Sequence, residues 1–185
     1  MIRKATHEDA DAIVNFMMLA MGDLPYKFAN TEDKNIAIRL LKKFVLIDRN
    51  QYSITNTFVY EQEDEIAGAI IAYDGGKIKT LRKPFFDYIS ENFHHKKFEM
   101  ELESEVGEFY IDAVAVEPNF QGKGIGKSLI LTVAEKARTL GFKKLGLLVS
   151  TNNNDAKRLY EKIGFKTVGY KNLLGTSHEH LVYEI

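Results

Sequence analysis

Three glycines fall at alternate positions, Gly122, Gly124 and Gly126, between a β-rich run and a helical one. Glycine adopts backbone angles that other residues resist, so successive N–H groups can turn toward one point. With a helix N-terminus behind them, such N–H groups make a nest for an anion. Lys123 and Lys127 add positive charge beside it. A pyrophosphate suits that site, and three kinds of ligand carry one. A dinucleotide fingerprint needs G-x-G-x-x-G, and Gln121-Gly-Lys-Gly-Ile-Gly126 brings the last glycine one position early. A nucleoside triphosphate loop needs G-x-x-x-x-G-K-[ST]. Gly126, Lys127 and Ser128 supply its end, but position 121 is Gln. No acidic strand end is placed to hold Mg²⁺ either. The pattern met in full is Q-x-x-G-x-G after a strand ending Val-Ala-Val-x-Pro.

The run Val114-Ala-Val-Glu-Pro-Asn-Phe-Gln-Gly-Lys-Gly-Ile-Gly126 resembles the GNAT superfamily of N-acetyltransferases. The resemblance implies that Gln121, Gly122, Lys123 and Gly124, with Ile125, Gly126, Lys127 and Ser128, hold the pyrophosphate of acetyl-CoA. It also implies that Val114, Ala115 and Val116 lie on a strand splayed from the next one. The pantetheine arm would pair with that strand, and a backbone N–H there would stabilise an oxyanion.

A second run, Asn153-Asn-Asp-Ala-Lys-Arg-Leu-Tyr-Glu-Lys-Ile-Gly-Phe165, extends the likeness. Asn153 and Tyr160 share a helix face if Asn153 lies in the first turn. Ala156 between them keeps that face low enough for a ligand to approach. The resemblance gives Asn153 a cofactor contact and puts Tyr160 near the sulfur as general acid. A thiolate with a pKa near that of cysteine, about 8.5, can take a proton from a tyrosine. The likeness is strong over roughly residues 106–170 and holds only at the level of fold before that.

Amine acetylation also needs a group to take the amine's proton. Strand alternation puts Tyr110, Asp112 and Val114 on one face and Phe109, Ile111 and Ala113 on the other. Asp112 is the expected base, with Glu108 and Tyr110 on the same face as alternates. A strand-edge carboxylate in a salt bridge is the bland alternative for Asp112.

The elements that must position these residues read as follows. Ile2–Ala5 is a short strand, and Thr6 caps a helix with Asp9 at the capping-box position. A second helix spans about Thr31 to Ile47, with Ile36, Leu40, Phe44 and Ile47 on one face. Thr57–Tyr60 and Ile66–Tyr73 form a hairpin around an acidic turn. Gly75 and Gly76 break the second strand, Pro84 obscures a helix start, and Phe85–Phe93 reads as helix. Phe98, Met100 and Leu102 alternate with Glu99, Glu101 and Glu103, as in a half-exposed strand with a solvated acidic face. Glu108–Val116 is a strand, Gly124–Leu140 a helix closed by Gly141, and Leu145–Val149 a strand. Asp155–Ile163 is a helix closed by Gly164, and Phe165–Tyr170 with His180–Ile185 make a terminal strand pair. No repeat or linker interrupts the chain, so 1–185 reads as one α/β domain. The resemblance specifies a mixed, mostly antiparallel sheet flanked by helices, with splayed middle strands forming the coenzyme cleft.

Composition narrows the partners. Lys+Arg 25 against Asp+Glu 26 gives a net charge of −1, without the basic surplus that a nucleic-acid partner needs. There are 0 Cys, so no protein thiol can carry an acyl group or ligate a metal. His178 and His180 alternate on a strand with no third ligand apparent nearby, so no metal is expected. His94-His95-Lys96-Lys97 reads as a solvated loop. Met1–Asp11 lacks an apolar leader, and no apolar run approaches the ~20 residues of a membrane helix. These features predict a cytoplasmic protein with an amine acceptor, small molecule or protein, and, as in relatives of this kind, a possible homodimer. The acceptor wall is expected from Met21–Phe28 and the Asp74–Phe98 excursion. The rival from another class is a catalytically silent acyl-CoA-binding sensor, against which Tyr160 and Asp112 argue.

Overall fold

The computed structural model describes residues 1–185. Its strands are β1 (Ile2–Lys4), β2 (Thr57–Gln62), β3 (Glu65–Asp74), β4 (Glu108–Val116), β5 (Lys144–Ser150), β6 (Lys166–Leu173) and β7 (Thr176–Glu184). Its helices are α1 (Ala10–Met21), α2 (Leu24–Phe28), α3 (Lys34–Val45), α4 (Ile78–Ile89), α5 (Ile125–Thr139) and α6 (Asn154–Ile163). The strands form one sheet of 7 in the order β1-β2-β3-β4-β5-β7-β6. Only β4 and β5 run parallel, and every other neighbouring pair is antiparallel. The single α/β domain with a mostly antiparallel sheet agrees with the sequence expectation. No helix is long and apolar enough to cross a membrane.

Each face of the sheet carries its own core. On one face α1, α3 and α4 bring Ile13, Met17, Leu41, Phe44 and Phe85 against Val59, Ala69, Ile71 and Ala113 of the strands. On the other, α5 and α6 bring Leu129, Ile130, Val133 and Tyr160 against Ala67, Ile70, Phe109 and Ile111. The first turn is fixed electrostatically. The Asp9 carboxylate accepts from the Thr6 backbone N–H at 2.7 Å and from both terminal nitrogens of Arg3. The Arg3 guanidinium holds the Asp9 carboxyl below the usual carboxylate range.

Four sequence expectations change. The second helix is shorter than expected: Asp33 caps it by accepting from the Asn35 N–H at 2.8 Å, and Ile47 is exposed beyond its end. Helix α4 begins well before Pro84 and continues through it. Pro84 removes one helical hydrogen bond, a cost of roughly 3 kcal/mol in an isolated helix. Burial offsets it: Ile78, Arg82, Phe85 and Ile89 form one buried face. Phe85 alone meets Phe28, Phe44 and Tyr52 edge-on, with ring centroids 5.1, 4.9 and 4.9 Å away.

The segment 95–107 forms no strand. Its acids do not share one solvated face, because Glu99 and Glu101 are exposed while Glu103 is buried. Finally, β7 starts at Thr176, so His178 and His180 lie inside it.

Phe85 ties α2, α3 and α4 together. Phe85→Ala should therefore cost about 3–5 kcal/mol of unfolding free energy in urea titrations, far more than removal of an exposed apolar residue such as Leu19.

Candidate active site

Strand β4 ends at Val116, and a short turn, Pro118–Phe120, leads to the glycine loop. Gly122 and Gly124 have φ of +76° and +81°, backbone angles that disfavour any side chain. Gly124 is the residue before α5, and its carbonyl accepts from the Ser128 N–H and the Ser128 hydroxyl. The N–H groups from Gly122 to Lys127 make no backbone hydrogen bond. They are free donors at the positive end of a 15-residue helix. This donor set fits a pyrophosphate.

The side chains around the loop divide the work. Gln121 donates to the Val116 carbonyl at 3.1 Å, tying the loop to the strand it leaves. Lys123 lies over the Phe120 ring at 4.8 Å. Around Gly126, Val116 and Leu159 close in to 3.6 Å of where a Cβ would sit. That one glycine therefore brings the end of β4, the start of α5 and the helix carrying Tyr160 together.

The sheet forks beside this loop. β4 pairs with β5 only from Glu108↔Lys144 to Ile111↔Leu147. Beyond that point β5 stays paired with β7, and β4 stays paired with β3. The β4 edge from Asp112 to Val116 is left without a partner on the β5 side. Asp112 sits at the fork and at a bulge, because Ile71 pairs with Ala113 and Ala72 with Ile111. The extra residue resets the alternation. Val114 and Val116 therefore join Phe109 and Ile111 on the α5 face, while Ala113 and Ala115 face α1. This corrects the expectation that Asp112 and Val114 share a face and that Ala113 sits with Ile111.

Asp112 is half-buried and accepts a hydrogen bond from the Tyr73 hydroxyl at 2.5 Å. Burial raises its carboxyl to about 6, against the opposing pull of Tyr73 and the Arg82 guanidinium. The carboxyl of buried Glu103 is raised to about 8, by burial first and by the Asp112 charge second. The buried Tyr52 and Tyr110 phenols are pushed well above their ordinary range, by burial first and then by the charges of Asp112 and Glu103. Tyr73, Glu103 and Arg82 were not legible as site residues. The β3–β4 pairing sets Tyr73 opposite Tyr110, a register that residue types along one strand do not give.

Of the alternate bases, Glu108 is otherwise engaged, and Tyr110 is buried. Glu108 accepts from the Glu105 N–H and lies 2.9 Å from His180 Nε2. Its carboxylate crosses over Gly146, where an added Cβ would fall 2.2 Å from Oε2. His178 lies 2.9 Å from the Thr176 carbonyl through Nδ1.

Asn153 is the N-cap of α6, and its side-chain oxygen accepts from the Ala156 N–H at 3.1 Å. Tyr160, on the same helix, packs edge-on against Phe165 at 5.8 Å. Its hydroxyl makes no hydrogen bond to the protein, and burial raises the phenol to about 12. The expected acceptor wall, α2, is anchored by Lys27 to the Leu174 carbonyl and by His94 to the Phe28 carbonyl. An open cavity there is lined by Asp23, Tyr26, Lys27, Asn30, Thr31 and Glu32.

Known proteins resemble this chain. A mycothiol acetyltransferase of Streptosporangium roseum is 43% identical over 60 residues, 32% of this chain and 17% of that protein. The chain spans about a fifth of the length of the curated relatives it matches. A crystal structure described as an acetyltransferase matches 100% of this chain and 99% of its own at 27% identity, with a TM-score of 0.80. An N-acetyltransferase from Staphylococcus aureus Mu50 shares the fold at 23% identity and a TM-score of 0.83, covering 99% and 100% of the two chains. The family model described as "Acetyltransferase (GNAT) family" matches residues 32–165, and the chain belongs to that family.

Proposed function

We propose that this chain is an N-acetyltransferase that moves the acetyl group of acetyl-CoA directly to a primary amine. The observation that carries the reading is the free N–H cradle from Gly122 to Lys127, opening onto a fork that holds Asp112. Acetyl-CoA supplies an acyl group activated on a thiol leaving group. The cradle and the α5 N-terminus bind the anionic oxygens, and Lys123 and Lys127 add long-range attraction. The unpaired β4 edge from Asp112 to Val116 offers N–H and C=O groups to an extended arm. Asn153 shapes the approach by capping α6, leaving its amide N–H₂ free.

Two side chains handle protons. As the C–N bond forms, the amine nitrogen gives a proton to the Asp112 carboxylate. As the C–S bond breaks, Tyr160 gives its proton to the departing sulfur. The raised phenol keeps that proton bound through neutral pH. Asp112 must be ionised to act. Its upward shift means that activity falls as pH drops through about 6, rather than through the usual carboxylate range near 4. We place the enzyme in the cytoplasm with a small-molecule or protein amine as acceptor.

Thiol release from acetyl-CoA across a panel of alkylamines, amino acids, polyamines and peptides tests the reading. Turnover supports it. Tight acetyl-CoA binding without turnover on any amine would mean a sensor, and tight Mg²⁺-dependent ATP binding without coenzyme A binding would sink it. Tyr160→Phe keeps the ring against Phe165 and removes only the hydroxyl, so kcat should drop about 10²–10⁴-fold with KM for acetyl-CoA little changed. Asp112→Asn should lower kcat/KM at neutral pH by about 10²-fold or more, with little recovery at low pH. Activity within a few-fold of the unmutated enzyme would move the base elsewhere.

A further inference from the structure

A base must present one oxygen to the amine, and a free carboxylate has two that exchange by rotation of its side chain. Asp112 lacks that freedom. The Tyr73 hydroxyl donates to Asp112 Oδ2 at 2.5 Å, and Oδ1 makes no hydrogen bond to the protein. The side-chain atoms that are sealed from solvent and lack a partner are Gln51 Nε2, Gln51 Oε1 and Glu103 Oε1. Asp112 Oδ1 is not among them, so it stands open to solvent. It does so at the point where β4 parts from β5. One oxygen of the carboxylate is taken and the other is free.

Tyr73 is held independently of Asp112. It is 3% exposed, and its ring packs with Ile78 and with the Tyr110 ring, whose centroid is 5.9 Å away. Strand pairing sets its backbone. Tyr73 lies opposite Tyr110, while the bulge leaves Asp112 without a partner on β3. The phenol therefore reaches the one β4 residue that the bulge frees. A buried ring gives the hydroxyl a fixed place, which is what preorganisation of a donor requires. The proton of this hydrogen bond stays on Tyr73, because burial first and the Asp112 charge second raise the phenol well above its ordinary range. Other groups act on Asp112, or answer to it, through charge alone. Arg82 on α4 favours the ionised carboxylate. Glu103, in the segment before β4, Tyr52, in the segment before β2, and Tyr110 on β4 all feel its charge. None of them donates a hydrogen bond to it.

We propose that Tyr73 is the positioning residue of the base: it occupies Asp112 Oδ2, leaves Oδ1 as the oxygen that takes the amine's proton, and favours the ionised carboxylate. Its part in turnover rests on the transferase reading, whereas its hold on Asp112 does not. A hydrogen bond given to a carboxylate stabilises the charged form. Tyr73 therefore opposes the upward push of burial and lowers the pH at which the base becomes available. As the C–N bond forms, the proton passes from nitrogen to Oδ1 and then returns to water from that open oxygen. Tyr73 keeps its own proton throughout.

The test uses the free, full-length protein with ¹³C-labelled aspartate carboxyl groups, followed by NMR from about pH 3 to about pH 10. The Asp112 signal is the one missing from Asp112→Asn. Tyr73→Phe keeps the ring and removes the hydroxyl, so the Asp112 midpoint should rise by about one pH unit. Tyr52→Phe is the control. It removes a buried hydroxyl that makes no hydrogen bond to Asp112, and should leave the midpoint in place. A midpoint unmoved by Tyr73→Phe, or moved equally by both variants, would overturn the proposal. Kinetics supplies a second readout. Turnover needs ionised Asp112, so the acid limb of kcat/KM should shift upward with the midpoint. The loss caused by Tyr73→Phe should then be about fivefold larger at about pH 6 than at about pH 9. A loss equal at every pH would make Tyr73 a packing residue only, and the proposal would be wrong. The NMR result needs no turnover, so failure here and failure of the transferase reading are separable.

Discussion

The parallel pairing of β4 with β5 stops at Ile111 and Leu147, and the rest of the site depends on that stop. Backbone donors and acceptors inside a fold need partners. Past the fork each strand keeps one neighbour and lacks the other, so β4 presents an open ladder to whatever enters. The fork is held from both sides. Strand β3 continues along β4 as far as Val116, and β7 continues along β5 as far as Ser150. Helices α5 and α6 close the back of the wedge, and Gly126 is the point where they meet β4. A ligand lying in the wedge would therefore touch backbone on its strand side and a helix N-terminus at its phosphate end.

The bulge at Asp112 matters for the same reason. A regular strand would set Asp112 and Val114 on one face. The extra residue lets Asp112 turn toward Tyr73 while Val114 remains in the α5 core. One irregularity thus feeds two environments, a polar pocket on the α4 face and an apolar floor on the other. Buried acids are costly, and the fold meets the cost with fixed donors. Tyr73 serves Asp112, and His180 serves Glu108 across the bare backbone of Gly146. Glu103 Oε1 receives no such donor and stands 4.0 Å from Arg82 Nη1.

How much of this the sequence discloses follows from the range of each interaction. The glycine loop, the α5 start and the Asn153–Gly164 helix are local, so residue type and spacing specify them. The bulge depends on how β3 and β4 pair, and alternation within β4 alone gives the wrong faces for Ala113 and Val114. The acids at 99, 101 and 103 look equivalent by period. Only Arg82 and Gly75, distant in sequence, separate Glu103 from the others. Pro84 suggests a break by local rules, and the aromatic packing of Phe85 overrides it. The pairing of Glu108 with His180 joins residues at opposite ends of the second half of the chain, and no local pattern announces it.

The two sides of the wedge are built from different materials. The glycine-loop side is mostly backbone: unpaired N–H groups, a helix end, an open strand edge. Backbone chemistry is the same in every chain, so it needs only glycines and spacing to recur, and it leaves a motif. The Asp112 side is made of side chains, with the Tyr73 hydroxyl of β3 as its donor and the Arg82 guanidinium of α4 pulling on its carboxyl. Each of these elements contributes one group, and none forms a run that stands out alone. The part of the wedge built from backbone is therefore written in contiguous residues. The part built from side chains is assembled only when the sheet closes around Asp112.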